Sequence, residues 1–190
     1  MSGIFWTSYA LLWVLVAVLV VAVFALYHHF GQMYVNSDEG RANQGPDNGK
    51  PYRPLQAETL DGTTIALPLF QRPFLAIFTS PDCQLCAAMR EALVTVAQNH
   101  PETAVVVFCA GRPQAVRAWA GPLVDVAMVV ADPKDRIAAM YGIDATPFGI
   151  AIDANGIVRA RGIVNDLQGL EGLVYEANPL PVLEETGTPE

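Results

Sequence analysis

The sequence predicts an α/β domain, a central mixed sheet flanked by helices, preceded by an N-terminal transmembrane helix. Apolar runs typical of buried strands alternate with amphipathic helical runs along most of the chain. A Cys-x-x-Cys pair stands where the first central strand gives way to a helix, and an uncharged stretch at residues 4–27 predicts the membrane span. We divide the chain into four segments: an anchor (1–30), a flexible linker (31–54), a folded domain (55–177) and a disordered tail (178–190).

The anchor prediction rests on residues 10–26, which are all apolar, because roughly 20 such residues cross a bilayer as a helix. Aromatic side chains flank this stretch, as they do at membrane interfaces. A cleaved signal peptide is the alternative, but residues 1–9 contain no Lys or Arg and residues 23–27 make a poor cleavage site. We therefore expect an uncleaved anchor, whose orientation the weakly charged flanks leave open.

The linker and tail are predicted from composition. Residues 36–54 are rich in Asn, Gly, Pro and Asp and lack an apolar period, which is typical of a tether. The last 13 residues are rich in Pro and Glu, a composition that favours disorder. Between these segments, the residues at 55–60 and 63–67 flank Asp61-Gly62, which predicts a β-hairpin.

The rest of the domain alternates between strands and helices. The pattern predicts a strand at 74–78, a helix at 85–99, a strand at 103–109, a helix at 113–120, a strand at 124–130, a short helix at 132–141, a hairpin of 148–152 and 157–161, and a last helix capped by Asn165 or Asp166. Such an order builds a mixed sheet with helices on both faces.

The cysteine pair is the candidate reactive centre. Cys83 is predicted at or just before the helix N-terminus, with Cys86 one turn further on. Unpaired N–H groups and the helix dipole favour a thiolate there, and the thiolate is the species that attacks a disulfide. We expect Cys83 to attack and Cys86 to resolve. Asp82 would oppose the thiolate, although it could also cap the helix.

Two other interpretations of the pair are less favoured, a zinc site and a purely structural disulfide. Zinc would need further ligands, and the chain offers only Cys109 and three histidines without ligand spacing. We predict no metal and no cofactor, and we expect Cys109 and Trp119 to be core residues. The net charge of −8 and the lack of a basic block argue against nucleic acid as a partner.

The domain resembles the thioredoxin superfamily, in particular its membrane-tethered TlpA-like branch. The resemblance is carried by Phe78 to Cys86, by Thr146-Pro147 just before the apolar strand at 148–152, and by the hairpin at Asp153 to Gly156. It implies a thioredoxin-like fold in which Pro147 is cis and packs against the disulfide, while the backbone before it pairs with a bound client. On this basis we assign Cys83, Cys86 and Pro147 as catalytic and Thr146, Gln84 and Leu85 as substrate-binding.

A closer resemblance is to the MauD family of methylamine dehydrogenase accessory proteins. It includes the anchor, Ser-Pro-x-Cys-x-x-Cys at residues 80–86, and the segments 145–148 and 157–165. It implies a thiol–disulfide oxidoreductase or isomerase on the periplasmic side of the inner membrane. The implied client is the cysteine-rich small subunit of methylamine dehydrogenase. A redox partner, whose identity is unknown, is implied as well.

Two departures from the family pattern leave the direction of the reaction open. Gln84 stands where the family commonly has Pro, and the residues between the cysteines affect redox potential. The position near Ile77, where many thioredoxins have a buried acid, is apolar. The alternatives are a TlpA-like reductase for cytochrome c or oxidase assembly, and a non-catalytic chaperone or metal-delivery module.

Overall fold

The computed structural model describes residues 44–179 and, near the N-terminus, residues 3, 6, 7, 9, 11–13, 15–21 and 23. These N-terminal residues are helical. No helix formed by the described residues is both long and apolar enough to span a bilayer. The rest of the predicted anchor, the predicted linker up to residue 43 and the predicted tail from residue 180 lie outside the described residues.

The described domain is an α/β structure of two sheets and four helices. Its strands are β1 (Leu55–Glu58), β2 (Thr64–Leu67), β3 (Phe74–Thr79), β4 (Ala104–Ala110), β5 (Met128–Asp132), β6 (Phe148–Ile152) and β7 (Val158–Ile163). Its helices are α1 (Gln84–Asn99), α2 (Pro113–Ala120), α3 (Arg136–Met140) and α4 (Leu167–Ala177). These elements follow the predicted order.

The central sheet is mixed, as predicted, with strand order β5-β4-β3-β6-β7. Strands β3, β4 and β5 are parallel, whereas β6 and β7 run antiparallel to their neighbours. The β1–β2 hairpin forms a separate two-stranded sheet. Thr59 and Leu60, just after β1, contact the open edge of β5, where the Leu60 N–H donates to the Val129 carbonyl at 2.8 Å.

Strand β3 is buried along its whole length and separates two apolar layers. Leu75 and Ile77 face a layer that contains α1, α2 and α4. Phe74, Ala76 and Phe78 face the opposite layer, which contains α3 and the β1–β2 hairpin. Because side chains alternate along a strand, one apolar run supplies both layers.

The third central strand was predicted at 124–130 but lies at Met128–Asp132. A 3₁₀ helix, Gly121–Asp125, occupies the first part of the predicted range. The Leu123 carbonyl accepts hydrogen bonds from the N–H groups of Val126 and Ala127, at 3.2 and 2.9 Å. These local bonds use backbone groups that a strand would pair with its neighbour, so the strand begins later.

The short helix was predicted to open at Asp132 but begins at Arg136. Asp132 instead ends β5, and its buried carboxylate accepts hydrogen bonds from the N–H groups of residues 136, 137 and 138. The side chain therefore satisfies the first turn of the helix from outside it. The last helix is capped by Asp166, one of the two predicted candidates.

Residues 44–54, which we call the strap, were predicted as flexible linker but pack against the domain. The Gly49 N–H donates to the Val158 carbonyl at 2.7 Å, and the Val158 N–H donates to the Lys50 carbonyl at 2.9 Å. Tyr52 is buried, stacking on Tyr141 and meeting Phe74 edge-on. One aromatic anchor thus orders a segment whose composition suggested a tether.

Asn178, the first residue of the predicted tail, contacts the folded domain. Asn178 is the C-cap of α4, and its side-chain amide donates to the Thr103 hydroxyl and the Val174 carbonyl, each at 2.8 Å. The side chain therefore joins the end of α4 to the start of β4.

Candidate active site

The two cysteines form a disulfide at the start of α1, with their Cα atoms 5.2 Å apart. Cys83 is the N-cap of the helix, and its Sγ accepts a hydrogen bond from the Cys86 N–H at 3.2 Å. Cys83 is half-buried, whereas Cys86 is fully buried. An incoming thiol can therefore reach the Sγ of Cys83 but not that of Cys86.

The electrostatic surroundings favour negative charge on Cys83. The first turn of α1 holds no acidic residue, so the positive end of the helix dipole is not neutralised there. Asp82 does not cap the helix, because the sulfur of Cys83 already occupies the cap position. Asp82 is exposed to solvent, and its N–H donates to the Ser80 hydroxyl at 3.3 Å. Solvent screens the effect of its carboxylate on the neighbouring sulfur.

A loop carrying Pro147 covers one side of the disulfide. The Thr146–Pro147 peptide bond is cis, as the resemblance implied. The Thr146 carbonyl oxygen lies 3.6 Å from the Sγ of Cys83, and the Val164 N–H donates to the Pro147 carbonyl at 3.4 Å. Among residues 44–179 the Thr146 N–H has no hydrogen-bond partner, so this backbone is open to an added strand.

The remaining predicted site residues lie at the first turn of α1. Gln84 and Leu85 are both exposed, and Leu85 keeps 55% of its surface accessible beside the disulfide. A large exposed apolar side chain next to a reactive sulfur suits contact with another protein. The structure thus brings all six predicted residues to one end of the sheet, although their roles remain predictions.

The third thiol belongs to the core. Cys109 is fully buried at the end of β4, and burial raises the pKa of its thiol to about 11, outweighing the lowering effect of the nearby Thr79 hydroxyl. Trp119 is also buried, against the same apolar layer. Both residues are core residues, as predicted. Among the described side chains, no three His, Cys, Asp or Glu converge as metal ligands.

Sequence reasoning missed Gln44, which contacts the Pro147 loop from the strap. Its Oε1 accepts hydrogen bonds from the N–H groups of Asp144 and Ala145, each at 3.3 Å, and its Nε2 donates to the Asp144 carboxylate. The strap therefore holds the two residues that precede Thr146. No local signal could have found this contact, because its partners lie about one hundred positions apart.

Next to the disulfide lies a groove of about 590 Å³ that sequence reasoning also missed. Ser80 and Thr146 form its side nearest the cysteines, since the Ser80 carbonyl accepts the Cys83 N–H and the Thr146 carbonyl contacts the Cys83 sulfur. Helix α3, the residues on either side of it and Ala110 of β4 form the rest, and two of these residues are acidic, Asp135 and Asp144.

Solved structures define the class of this fold. A thiol:disulfide interchange protein of the thioredoxin family from Chlorobium tepidum matches with a TM-score of 0.60 and 18% identity, covering 70% of this chain and 98% of that one. A secreted Mycobacterium tuberculosis disulfide oxidoreductase matches with a TM-score of 0.56 and 23% identity, covering 63% and 93%. The chain therefore has a thioredoxin-like fold.

Curated relatives narrow the comparison. The chain is similar to the methylamine utilization protein MauD of Methylobacillus flagellatus, with 26% identity over 90% of this chain and 86% of the relative. MauD of Methylophilus methylotrophus is 27% identical, with 90% and 83% covered. The resemblance to MauD predicted from the sequence is confirmed over most of the chain. No protein-family model matches.

Proposed function

We propose that this chain is a membrane-anchored, periplasmic thiol–disulfide oxidoreductase that forms or rearranges disulfides in a client protein. The observation that carries the proposal is the unequal burial of the cysteines at a helix N-terminus: Cys83 is accessible and Cys86 is not. The curated relatives and the thioredoxin-like neighbours support the enzyme class. The role of these relatives in methylamine utilization supports the methylamine dehydrogenase small subunit as the client.

The proposed reaction begins with the oxidised pair. A client thiolate attacks the Sγ of Cys83, the Cys83–Cys86 bond breaks, and Cys86 takes up a proton after leaving as a thiolate. A second client thiolate attacks the client sulfur of the mixed disulfide, and Cys83 leaves. The client loses two electrons and two protons, and the cysteine pair gains them. An external disulfide or quinone oxidant, through the unknown redox partner, must then restore the pair.

The surroundings of Cys83 suit its part in both steps. The Cys86 N–H and the dipole of α1 stabilise negative charge on Cys83 when it leaves the mixed disulfide. The open backbone of Thr146 can align an extended client segment, and the exposed side chains of Gln84 and Leu85 can contact it. Because Ile77 is buried and apolar, protons exchange with solvent or client rather than with a carboxyl group at that position.

The reduction potential of the Cys83–Cys86 pair tests the reaction and its direction. The full chain is equilibrated with glutathione and then dithiothreitol buffers, with Cys83→Ser as the control. A potential near −120 mV, roughly that of strongly oxidising bacterial dithiols, supports disulfide donation. A potential near −270 mV, roughly that of cytosolic thioredoxins, favours the reductase alternative. The absence of any reversible couple would refute the oxidoreductase proposal.

The location is proposed from the sequence pattern. The uncharged stretch at residues 4–27 supports a single-pass anchor in the inner membrane, and a disulfide-forming domain needs the oxidising side of that membrane. A topology reporter fused after Asn36 tests both parts. An alkaline phosphatase fusion should be active and a cytoplasmic reporter inactive, and the reverse pattern overturns the periplasmic assignment.

A further inference from the structure

The groove beside the disulfide lies on the opposite side of the sheet from α1. Strand β3 separates the layer of α1 and α4 from the layer of α3, and α3 supplies one wall of the groove. Its other wall, at Ser80 and Thr146, directly contacts Cys83. The groove is therefore within reach of a client that is bound through Cys83.

The floor of the groove is apolar, and the two charged side chains that line it are both acidic. Ala138 and Ile143 line it, joined by a hydrogen bond from the Ile143 N–H to the Ala138 carbonyl at 2.9 Å. Asp135 and Asp144 line it as well, and within residues 44–179 neither carboxylate forms a salt bridge. The Asp144 carboxylate is held in place by the side-chain amide of Gln44, which leaves its negative charge unneutralised.

An apolar floor with two carboxylates that form no salt bridge matches the side chains of Lys and Arg, even though the exposed Lys134 and Arg136 flank Asp135 in the chain. Their aliphatic stems bury against apolar surface while the charged heads stay near solvent and acidic partners. We propose that this groove binds a basic segment of the client next to its reactive cysteine, with Asp135 and Asp144 as the specificity-determining residues. This inference rests on the proposed function and names the substrate class of the same site.

The test compares three synthetic dithiol peptides that differ only near the cysteines, with Arg, Ser or Glu at the flanking positions. The full chain, with its disulfide oxidised, is mixed with each peptide, and the rate constant of peptide oxidation is measured at low salt. The Arg peptide should react about tenfold faster than the Glu peptide, since complementary charge raises association rates. The ratio should approach one in 1 M salt.

The decisive variant is the double substitution Asp135→Asn and Asp144→Asn. Asp135 has a left-handed backbone, with φ of 49°, which Asn also tolerates, and Asn at 144 can still accept from Gln44. The double variant should lose the preference for the Arg peptide, so that the Arg and Glu peptides are oxidised at similar rates. The matched control, Glu171→Gln with Glu176→Gln, removes the same charge from exposed positions on α4 and should keep the preference.

The outcomes separate this inference from the proposed function. Equal oxidation of all three peptides, or a preference that survives the Asp135→Asn and Asp144→Asn substitutions, overturns the groove assignment and leaves the oxidoreductase proposal standing. If no peptide is oxidised and the disulfide does not exchange with dithiothreitol, both proposals fail together.

Discussion

At the scale of single residues, the two cysteines differ in accessibility although only two residues separate them. Cys83 is half-buried, and its sulfur caps α1. Cys86 lies in the apolar layer under the helix. Only one of the two can therefore start an exchange. The chemical order of the steps follows from burial alone, before any difference in thiol acidity is considered.

The first prediction compares Cys86→Ser with Cys83→Ser in the reduced full chain. The free Cys83 of the first variant should react with an aromatic disulfide reagent about 100-fold faster than the free Cys86 of the second, because a buried thiol must wait for local opening. Stopped-flow absorbance measures both rates. Comparable rates would contradict the assignment of Cys83 as the attacking residue.

Cys109 contributes the same small background to both variants. With a pKa of about 11, only about one Cys109 in ten thousand is a thiolate at pH 7. Adding Cys109→Ala to each variant should leave the two rates unchanged, which serves as the control.

The residues of the site that could be predicted carry local signals. The cysteine spacing and the Thr-Pro pair before an apolar strand are visible in the sequence. The helix cap was not predictable, because Asp82 and Cys83 are adjacent and only the fold decides which side chain turns toward the first N–H groups. The sulfur of Cys83 takes that position, and Asp82 remains in solvent.

At the scale of elements, the β6–β7 turn depends on one buried carboxylate. Asp153 accepts hydrogen bonds from the N–H groups of Asn155 and Ile157, each at 2.9 Å, and pairs with Arg159 at 2.6 Å. Burial acts to raise the pKa of Asp153, but the Ile157, Arg159 and Asn155 hydrogen bonds outweigh it and hold the pKa below its usual value. The contribution of this turn to the stability of the fold therefore depends on pH.

The second prediction concerns Asp153→Asn. Because the folded pKa lies below the unfolded value of about 3.9, the carboxylate stabilises the fold above that pH, and the contribution is lost as pH falls through the folded pKa. At pH 7 the variant should lose about 1–3 kcal/mol of unfolding free energy, and its difference from the original protein should shrink below about pH 4. Urea titrations from pH 2.5 to 7 measure this.

A surface carboxylate supplies the control for that experiment. Glu102 pairs with His100 and is 54% exposed, so Glu102→Gln should change the unfolding free energy by less than about 0.5 kcal/mol. An Asp153→Asn difference that stays constant across the pH range would contradict the coupling.

The third prediction concerns the contact between β6 and α4. A Cβ at Gly149 would lie 2.5 Å from the Leu173 Cδ1 and 3.2 Å from side-chain atoms of Ile77 and Val164. Gly149→Ala should therefore destabilise the fold by about 1–3 kcal/mol through overpacking. Its strand partner Gly162 has open space at the Cβ position, so Gly162→Ala is the matched control and should be neutral or stabilising in the same urea titration. Equal effects at both positions would refute the packing argument.

The order of the elements was predictable from the apolar runs, whereas the first residues of β5 and α3 were not. Strand β5 starts later than predicted because the backbone of Leu123 is engaged by a 3₁₀ helix. Helix α3 starts later because Asp132 satisfies its first turn from the end of a strand. In both places the deciding interaction is a specific hydrogen bond, which apolar periodicity does not report.

At the scale of the whole molecule, the strap brings the start of the described domain to the Pro147 loop. Gln44 makes its three hydrogen bonds to Asp144 and Ala145, and the Gly45 N–H donates to the Gly142 carbonyl at 3.4 Å. The loop beside Cys83 is therefore held from a part of the sequence that is distant from the cysteines.

The fourth prediction concerns Gln44→Ala. Losing the amide should release the N–H groups of Asp144 and Ala145, so their hydrogen exchange should accelerate about fivefold or more, with a loss of about 1 kcal/mol in unfolding free energy. Exchange followed by NMR or mass spectrometry measures the first effect. Asn48→Ala is the control, because within residues 44–179 the Asn48 amide makes no hydrogen bond, and it should leave the loop unchanged. Unaltered exchange at both amides in Gln44→Ala would refute the role of Gln44.

The strap could not be predicted, because its contacts depend on the folded positions of distant residues. Its Gly, Asn and Pro content is typical of a linker, and only Tyr52 anchors it in the core. The thioredoxin-like fold, in contrast, was predictable, because local sequence patterns indicate the order of its strands and helices and the position of the cysteine pair.

The strap also pairs with the backbone of an outer strand of the central sheet. Strand β7 is an outer strand of the sheet, and unpaired outer strands invite edge-to-edge aggregation with other chains. Gly49 and Lys50 occupy the backbone of β7 at Val158, and Leu60 does the same for β5 at Val129 on the other side. Under the proposed function, a cysteine-bearing client would meet the loop beside the disulfide, while these stretches of the outer strands are already shielded.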